Sequence, residues 1–236
     1  MSIFAISDLH LPFFDNHGME VFGDAWIDYE KKLEKNWREI VKESDTILIP
    51  GDVSWATYLR DTVPDFKFIE NLPGNKIISK GNHDFWWESV SKLNRFIQEN
   101  EFKTLSFMHN NHFFRENAII CGTRGWRCPC DETFTEEDKK IYERELNRLE
   151  LSLNSYKSER NSDSKLVVAL HYSPFNFRKE PSGFVDILKK HKVDKCVYGH
   201  FHSKSFNQAV EGNFEGIEFK LISSDYLNFK PIKLYD

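Results

Sequence analysis

Five short polar segments occur at one kind of place in this chain: each directly follows a run that reads as a β-strand. They are Asp8-Leu9-His10, Gly51-Asp52, Gly81-Asn82-His83-Asp84, His171, and Gly199-His200-Phe201-His202. The runs before them are 3–7, 46–49, 76–79, 166–170 and 195–198, with further strands expected at 118–121 and 217–223. Between them lie amphipathic stretches. Residues 29–43 place Leu33, Trp37, Ile40 and Val41 on one helical face, and 65–72, 88–99 and 182–192 also read as helices. The longest helix is expected over 135–160, with Tyr142, Leu146, Leu149, Leu153 and Tyr156 in one buried stripe and a capping box of Thr133 with Glu136. Alternation of this kind is an α/β pattern. In such folds loops converge at the carboxyl ends of the strands, so five polar loops at five strand ends are expected to form one cluster.

The residue types in those loops are metal ligands. Side chains two apart on an extended segment point the same way, so Asp8 with His10, and His200 with His202, can each grip one ion. Two carboxylates (Asp8, Asp52), one amide oxygen (Asn82) and four imidazoles (His10, His171, His200, His202), with no thiolate, suit first-row divalent ions such as Mn, Fe or Zn. Seven ligands exceed what one tetrahedral ion needs. They suit two ions about 3.5–4 Å apart sharing a carboxylate, the arrangement used for in-line displacement at phosphorus.

The ordered series Asp-x-His, Gly-Asp, Gly-Asn-His-Asp, His, Gly-His-x-His, running from residue 8 to residue 202, resembles the signature of the calcineurin-like metallophosphoesterases. The resemblance implies an α/β fold of the metallophosphoesterase type, a β-sandwich of two mixed sheets flanked by helices, filling residues 1–236 as one domain. It implies that Asp8, His10 and His202 hold one ion, that Asn82, His171 and His200 hold a second, and that Asp52 bridges them. It also implies phosphomonoester or phosphodiester hydrolysis by a hydroxide held between the ions. His83 would protonate the leaving oxygen and Asp84 would hold His83 in orientation.

Composition narrows the partners. The 236 residues carry 32 Lys+Arg against 37 Asp+Glu, a net charge of −5 and 40% hydrophobic residues, with a mean hydropathy of −0.56. A protein that coats nucleic acid normally carries a basic excess, so a small phosphorylated substrate is favoured over a polynucleotide and a nuclease is the alternative reading. A non-catalytic interaction protein on the same fold is the third. Such proteins usually lose a ligand or the general acid, and none is missing here. No run approaches the roughly 20 apolar residues of a membrane helix, and the N-terminus has no signal-peptide pattern, so a cytoplasmic protein is expected. The cysteines, Cys121, Cys128, Cys130 and Cys196, are expected as free thiols, and the Cys128-Pro129-Cys130 spacing fits no standard zinc module. The oligomeric state is not legible.

One further loop invites a role. Gly122-Thr123-Arg124-Gly125-Trp126-Arg127 follows a strand and offers two guanidiniums and an indole. Arg124 and Arg127 are candidate substrate contacts, since a guanidinium forks onto phosphate oxygens; the alternative is a surface loop with Trp126 folded inward. Trp55, Trp86 and Trp87 are read as core residues that could line the site. His17, His109, His112 and His191 are expected to be surface or hydrogen-bonded histidines.

Overall fold

Strand β1 (Ile3–Ala5) is paired on one side by β2 (Thr46–Pro50), in parallel with Ile3 opposite Thr46, and the parallel series continues through β3 (Asn75–Ser79) to β4 (Leu105–Phe107). These assignments come from a computed structural model that describes residues 1–14, 19–115, 117–130, 133–156 and 164–236. A second sheet begins with the antiparallel pair β5 (Phe113–Arg115) and β6 (Ala118–Thr123). It runs in parallel through β7 (Lys165–Leu170) and β8 (Lys195–Tyr198). After β8, the strand β9 (Gly212–Phe214) turns back antiparallel onto β10 (Ile217–Leu221), and β10 lies parallel to β8. The last strand, β11 (Ile232–Tyr235), returns antiparallel to β1. The orders are β11-β1-β2-β3-β4 and β5-β6-β7-β8-β10-β9. The chain therefore carries two mixed sheets, the expected architecture.

The chain divides into two compact units, Met1–Phe107 with Ile222–Asp236, and Met108–Leu221, each with its own sheet and core. In the first unit α1 (Tyr29–Ile40) buries Tyr29, Leu33 and Trp37 at helical spacing, and α2 (Val63–Glu70) and α3 (Val90–Glu99) add Phe66, Ile69, Leu93 and Phe96 to the same core. In the second unit α4 (Glu136–Asn154) and α5 (Gly183–Lys190) bury Tyr142, Leu149, Leu153, Phe184 and Leu188. The central strands are buried along almost their whole length, as parallel strands covered on both faces are.

Two local expectations are corrected. The capping box of α4 is formed by Thr135 and Asp138, not by Thr133 and Glu136: Thr135 Oγ1 accepts from the Asp138 N–H at 3.1 Å, and Asp138 Oδ2 accepts from the Thr135 N–H at 3.0 Å. Both pairs satisfy the same one-to-four spacing, and the helix takes the later one; Thr133 instead accepts from Arg127. The expected extension of this helix through 157–160 lies outside the described residues, as does His17. Helix α3 begins at Val90, two residues later than expected, after an extended Ser89. Among the described residues, no helix is long and apolar enough to cross a membrane.

Because β1, β2 and β3 run parallel, their carboxyl ends share one side of their sheet; the same holds for β6, β7 and β8 in theirs. The polar loops leave from those ends.

Candidate active site

In the first unit the loops after β1 and β2 stay side by side past the last strand pairs. The Asp8 N–H donates to the Gly51 carbonyl at 3.0 Å, the His10 N–H to the Asp52 carbonyl at 2.9 Å, and the Leu11 N–H to the Val53 carbonyl at 2.9 Å. This path takes Asp8, His10 and Asp52 into the left-handed region, at φ of 57°, 45° and 52°. Left-handed backbone costs an L-residue roughly 1–2 kcal/mol, and such positions concentrate at functional sites. All three side chains are buried.

The Asp52 carboxylate is the hub. Its Oδ1 accepts from the His83 N–H at 2.8 Å, and its Oδ2 lies 3.8 Å from His10 Nε2. Gly81 makes room for it: a Cβ there would sit 2.1 Å from Asp52 Oδ1. Asp8 accepts from the neighbouring Ser7 hydroxyl, and the Tyr29 hydroxyl donates to the His10 carbonyl. The His10 ring stacks on Trp55 at 4.8 Å, and Trp55 lies as close to the His83 ring. Asn82 and His83 are half-buried on the loop after β3.

Asp84 departs from its expected partner. Its carboxylate accepts from four N–H groups: those of Asp52 and Gly81 at 2.9 and 2.7 Å on Oδ2, and those of Val53 and the Trp86 indole at 2.9 and 3.0 Å on Oδ1. A carboxylate has about four acceptor sites, so these donors take it up. Asp84 thus binds the Asp52 turn to the Gly81 turn, and it bears on His83 through the loop that both share. Burial pushes its pKa up to about 6, while these backbone bonds pull it down. Trp86 is fully in the core and Trp87 packs against it.

The second unit holds its histidines differently. The N–H groups of His171 and Tyr172 both donate to the Arg124 carbonyl at 3.0 Å, and the Gly199 N–H donates to the His171 carbonyl at 3.1 Å, which ties together the ends of β6, β7 and β8. His171 is fully buried, while His200 and His202 are half-exposed. Rings align the set: His171 and His200 are 5.1 Å apart, Tyr172 lies 4.2 Å from His200, Trp126 lies 5.1 Å from Tyr172, and the Arg124 guanidinium covers Trp126 at 4.5 Å. His200, at φ 74°, repeats the left-handed backbone seen in the first unit.

The two arginines of the 122–127 loop separate. Arg124 turns inward, with Nη2 3.7 Å from Oε1 of fully buried Glu145, which also accepts from Thr123 and Arg148 at 2.6 Å. Burial lowers the Arg124 pKa against the opposing pull of Glu145. Arg127 is exposed and lines a cavity of about 180 Å³ together with His200. Arg124 is not among the lining residues. Trp126 folds inward, and its indole donates to Asp138 at 3.0 Å.

Sequence reasoning misses Glu145 and Tyr172. Glu145 carries a signal, since it occupies the buried face of α4 between Tyr142 and Leu149. An acid on such a stripe needs a cation beside it. Tyr172, next to His171, carries none. Two of the remaining histidines have partners outside the candidate site: His191 Nε2 lies 2.9 Å from Glu150, and His112 Nδ1 lies 2.8 Å from Ser155. Cys121, Cys128, Cys130 and Cys196 are free, and burial pushes the Cys121 and Cys128 thiols up to about 12.

The donor set fits divalent metal. Buried carboxylates need cations or N–H donors around them, and the loops of both units supply oxygen and imidazole donors without a thiolate. Comparisons agree with this chemistry. Solved structures share the fold: the phosphopantetheinyl hydrolase PptH from Mycobacterium tuberculosis at 10% identity, TM-score 0.56, over 99% of this chain and 95% of that one. TT1561 of Thermus thermophilus matches at 13% identity, TM-score 0.54, over 99% and 97%. No curated protein matches the chain. The model of the calcineurin-like phosphoesterases matches residues 1–204, a span that contains every one of the strand-end motifs, and the chain belongs to that family.

Proposed function

We propose that residues 1–236 act as one catalytic domain, a phosphohydrolase that cleaves a phosphomonoester or phosphodiester with two divalent ions, Mn, Fe or Zn. Asp8, His10, Asp52 and Asn82 of the first unit, with His171, His200 and His202 of the second, would hold them, and Asp52 would be shared. The observation that carries this reading is the cage around Asp52. A buried carboxylate is fixed by the His83 N–H, backed by Asp84 and fitted against a glycine that admits no side chain. That is a rigid, water-poor seat for a bridging ligand. When bound, the ions supply Lewis acidity and a hydroxide at neutral pH.

The chain's own residues do the rest. His83 is fixed through its backbone to Asp52, and its ring is placed by Trp55 and His10. Its ring gives a proton to the oxygen that leaves phosphorus, a general-acid role open to an imidazole. Arg127 keeps most of its five N–H donors for a phosphate oxygen, since one is used on Thr133. Arg124 supports the aromatic column behind His200. The free cysteines agree with a reducing compartment such as the cytoplasm.

The test is a turnover screen over phosphomonoesters, phosphodiesters, nucleotides and single-stranded DNA with Mn²⁺, Zn²⁺ or Fe²⁺, after chelation and after metal return. Ester cleavage that chelation removes and metal restores is the expected result. No cleavage of any ester with any metal overturns the reading.

A further inference from the structure

The cavity beside His200 has a wall chemistry that the phosphorus-centred motifs do not explain. Phe134, Tyr172, Phe177 and Phe201 present rings to it, while Arg127 and His200 bring the charge and the imidazole to the same space. Phe177 is 58% exposed at this cavity. Three of the polar groups in the wall are bonded from behind. Asn176 Oδ1 accepts from the N–H groups of Arg178 and Glu180, and its amide donates to Glu180 at 2.8 Å. Ser173 Oγ is bonded to both the carbonyl and the N–H of Phe175. Cys128 Sγ is directed to the Trp126 and Ser173 carbonyls. Cys130 and Gln208 add polar groups to the wall, and the rest of the surface that a guest meets is π surface with the Arg127 guanidinium at its margin.

Size sets the guest. Pockets for whole drug-sized ligands run to roughly 300–1,000 Å³. A cavity of about 180 Å³ takes a ring system, with the remainder of the molecule outside it.

We infer that this cavity is the specificity subsite of the enzyme and that it takes a planar aromatic or heteroaromatic group carried by the phosphoester. The ring stacks against Phe177 and its neighbours, and the attached phosphate meets Arg127. The inference rests on the proposed phosphoesterase reading for its phosphate end and on the cavity alone for its ring end. Aromatic pairs favour offset or edge contacts, worth about 0.5–1.5 kcal/mol beyond the area they bury, so one ring of the wall should weigh measurably in affinity.

Calorimetric titration of the full chain with 1-naphthyl phosphate and with methyl phosphate tests it, because the two share a phosphate and differ in the ring. Naphthyl phosphate is expected to bind at least about tenfold more tightly. Phe177→Ala, at an exposed position that does not threaten folding, should remove most of that preference and leave methyl phosphate unchanged. Phe22→Ala, which removes an equally exposed ring from the other unit, should leave the preference intact. Arg127→Ala should weaken both ligands by a similar factor. Equal binding of the two phosphates to the parent protein, or a preference untouched by Phe177→Ala, overturns the subsite. Turnover is scored separately: ring-dependent binding without cleavage under any metal would sink the proposed hydrolysis and leave the subsite in place.

Discussion

The two units secure their candidate ligands by different physics. In the first, the loops after β1, β2 and β3 are cross-bonded to one another, and the Asp84 carboxylate gathers four N–H groups from the surrounding turns. In the second, the Arg124 carbonyl accepts from the His171 N–H, the His171 carbonyl accepts from the Gly199 N–H, and the rings of Trp126 and Tyr172 line up beside His200. The contrast follows from the ligands. A buried carboxylate must be surrounded by donors or its desolvation cost is unmet. An imidazole has an apolar body with polar edges, so ring packing can orient it and half of it can remain exposed. The first unit is therefore built to keep negative charge in place, and the second to orient imidazoles by ring packing beside backbone bonds.

Asp52→Asn strikes the centre of the charged cage and should have the largest effect. Metal analysis should find the protein depleted of metal, and turnover should fall by on the order of 10³-fold or more, the several kcal/mol that Lewis acidity supplies. A fully loaded, active Asp52→Asn protein would break the contrast. His83→Ala comes next, with metal content unchanged and turnover of esters with poor leaving groups lowered about 10²–10⁴-fold. An activated aryl ester should suffer far less, and equal losses on both substrates would remove His83 as the proton donor. Asp84→Asn turns an NH₂ group toward N–H donors and should lower unfolding stability by about 1–3 kcal/mol, with metal affinity down about 10–100-fold. Tyr172→Leu, its counterpart in the second unit, removes one ring from the column and should weaken metal retention less than tenfold, in line with a stacking contribution of about 0.5–1.5 kcal/mol. If Tyr172→Leu costs more metal than Asp84→Asn, the division between the units is wrong.

The smallest effect on turnover should come from Lys76→Met. Lys76 lies buried on β3, its Nζ on the Leu72 carbonyl and Thr104 Oγ1, and burial lowers its pKa from 10.5 to about 8. A lysine whose folded pKa is lowered penalises the folded state while it stays charged. The penalty is complete below about pH 8 and fades as pH rises toward 10.5, because the unfolded chain then holds the proton that the folded one has lost. Chemical denaturation across that range should show the parent gaining stability with rising pH and Lys76→Met showing a flatter curve, with turnover unchanged.

Most of the interior is legible in the sequence, and the omissions share a cause. Every central strand is anticipated there: 3–7 for β1, 46–49 for β2, 76–79 for β3, 118–121 for β6, 166–170 for β7, 195–198 for β8 and 217–223 for β10. The strands that are not anticipated are β4, β5, β9 and β11, and these are the outermost strands of the two sheets. Edge strands are short and covered on fewer sides, so Phe113–Arg115 and Gly212–Phe214 lack the unbroken apolar run that marks a central strand. Within the candidate site, the candidate ligands are visible because their types and spacing are chemical. The donors on Asp84 and the inward turn of Arg124 are not, because they depend on which buried group most needs a partner. Glu145 accounts for the second case: a buried acid needs a cation beside it, and Arg124 Nη2 lies 3.7 Å from its carboxylate.

The backbone at Asp8, His10, Asp52 and His200 has a consequence for how this protein can change. Each position tolerates only residues that accept left-handed dihedral angles, whatever its side chain does for a metal. In a saturation library scored for folded abundance, glycine and asparagine should persist at these four positions, while valine and isoleucine are depleted. Lineages that abandon the chemistry should therefore drift through glycine and asparagine there, preserving the loop shapes after the donor atoms have gone.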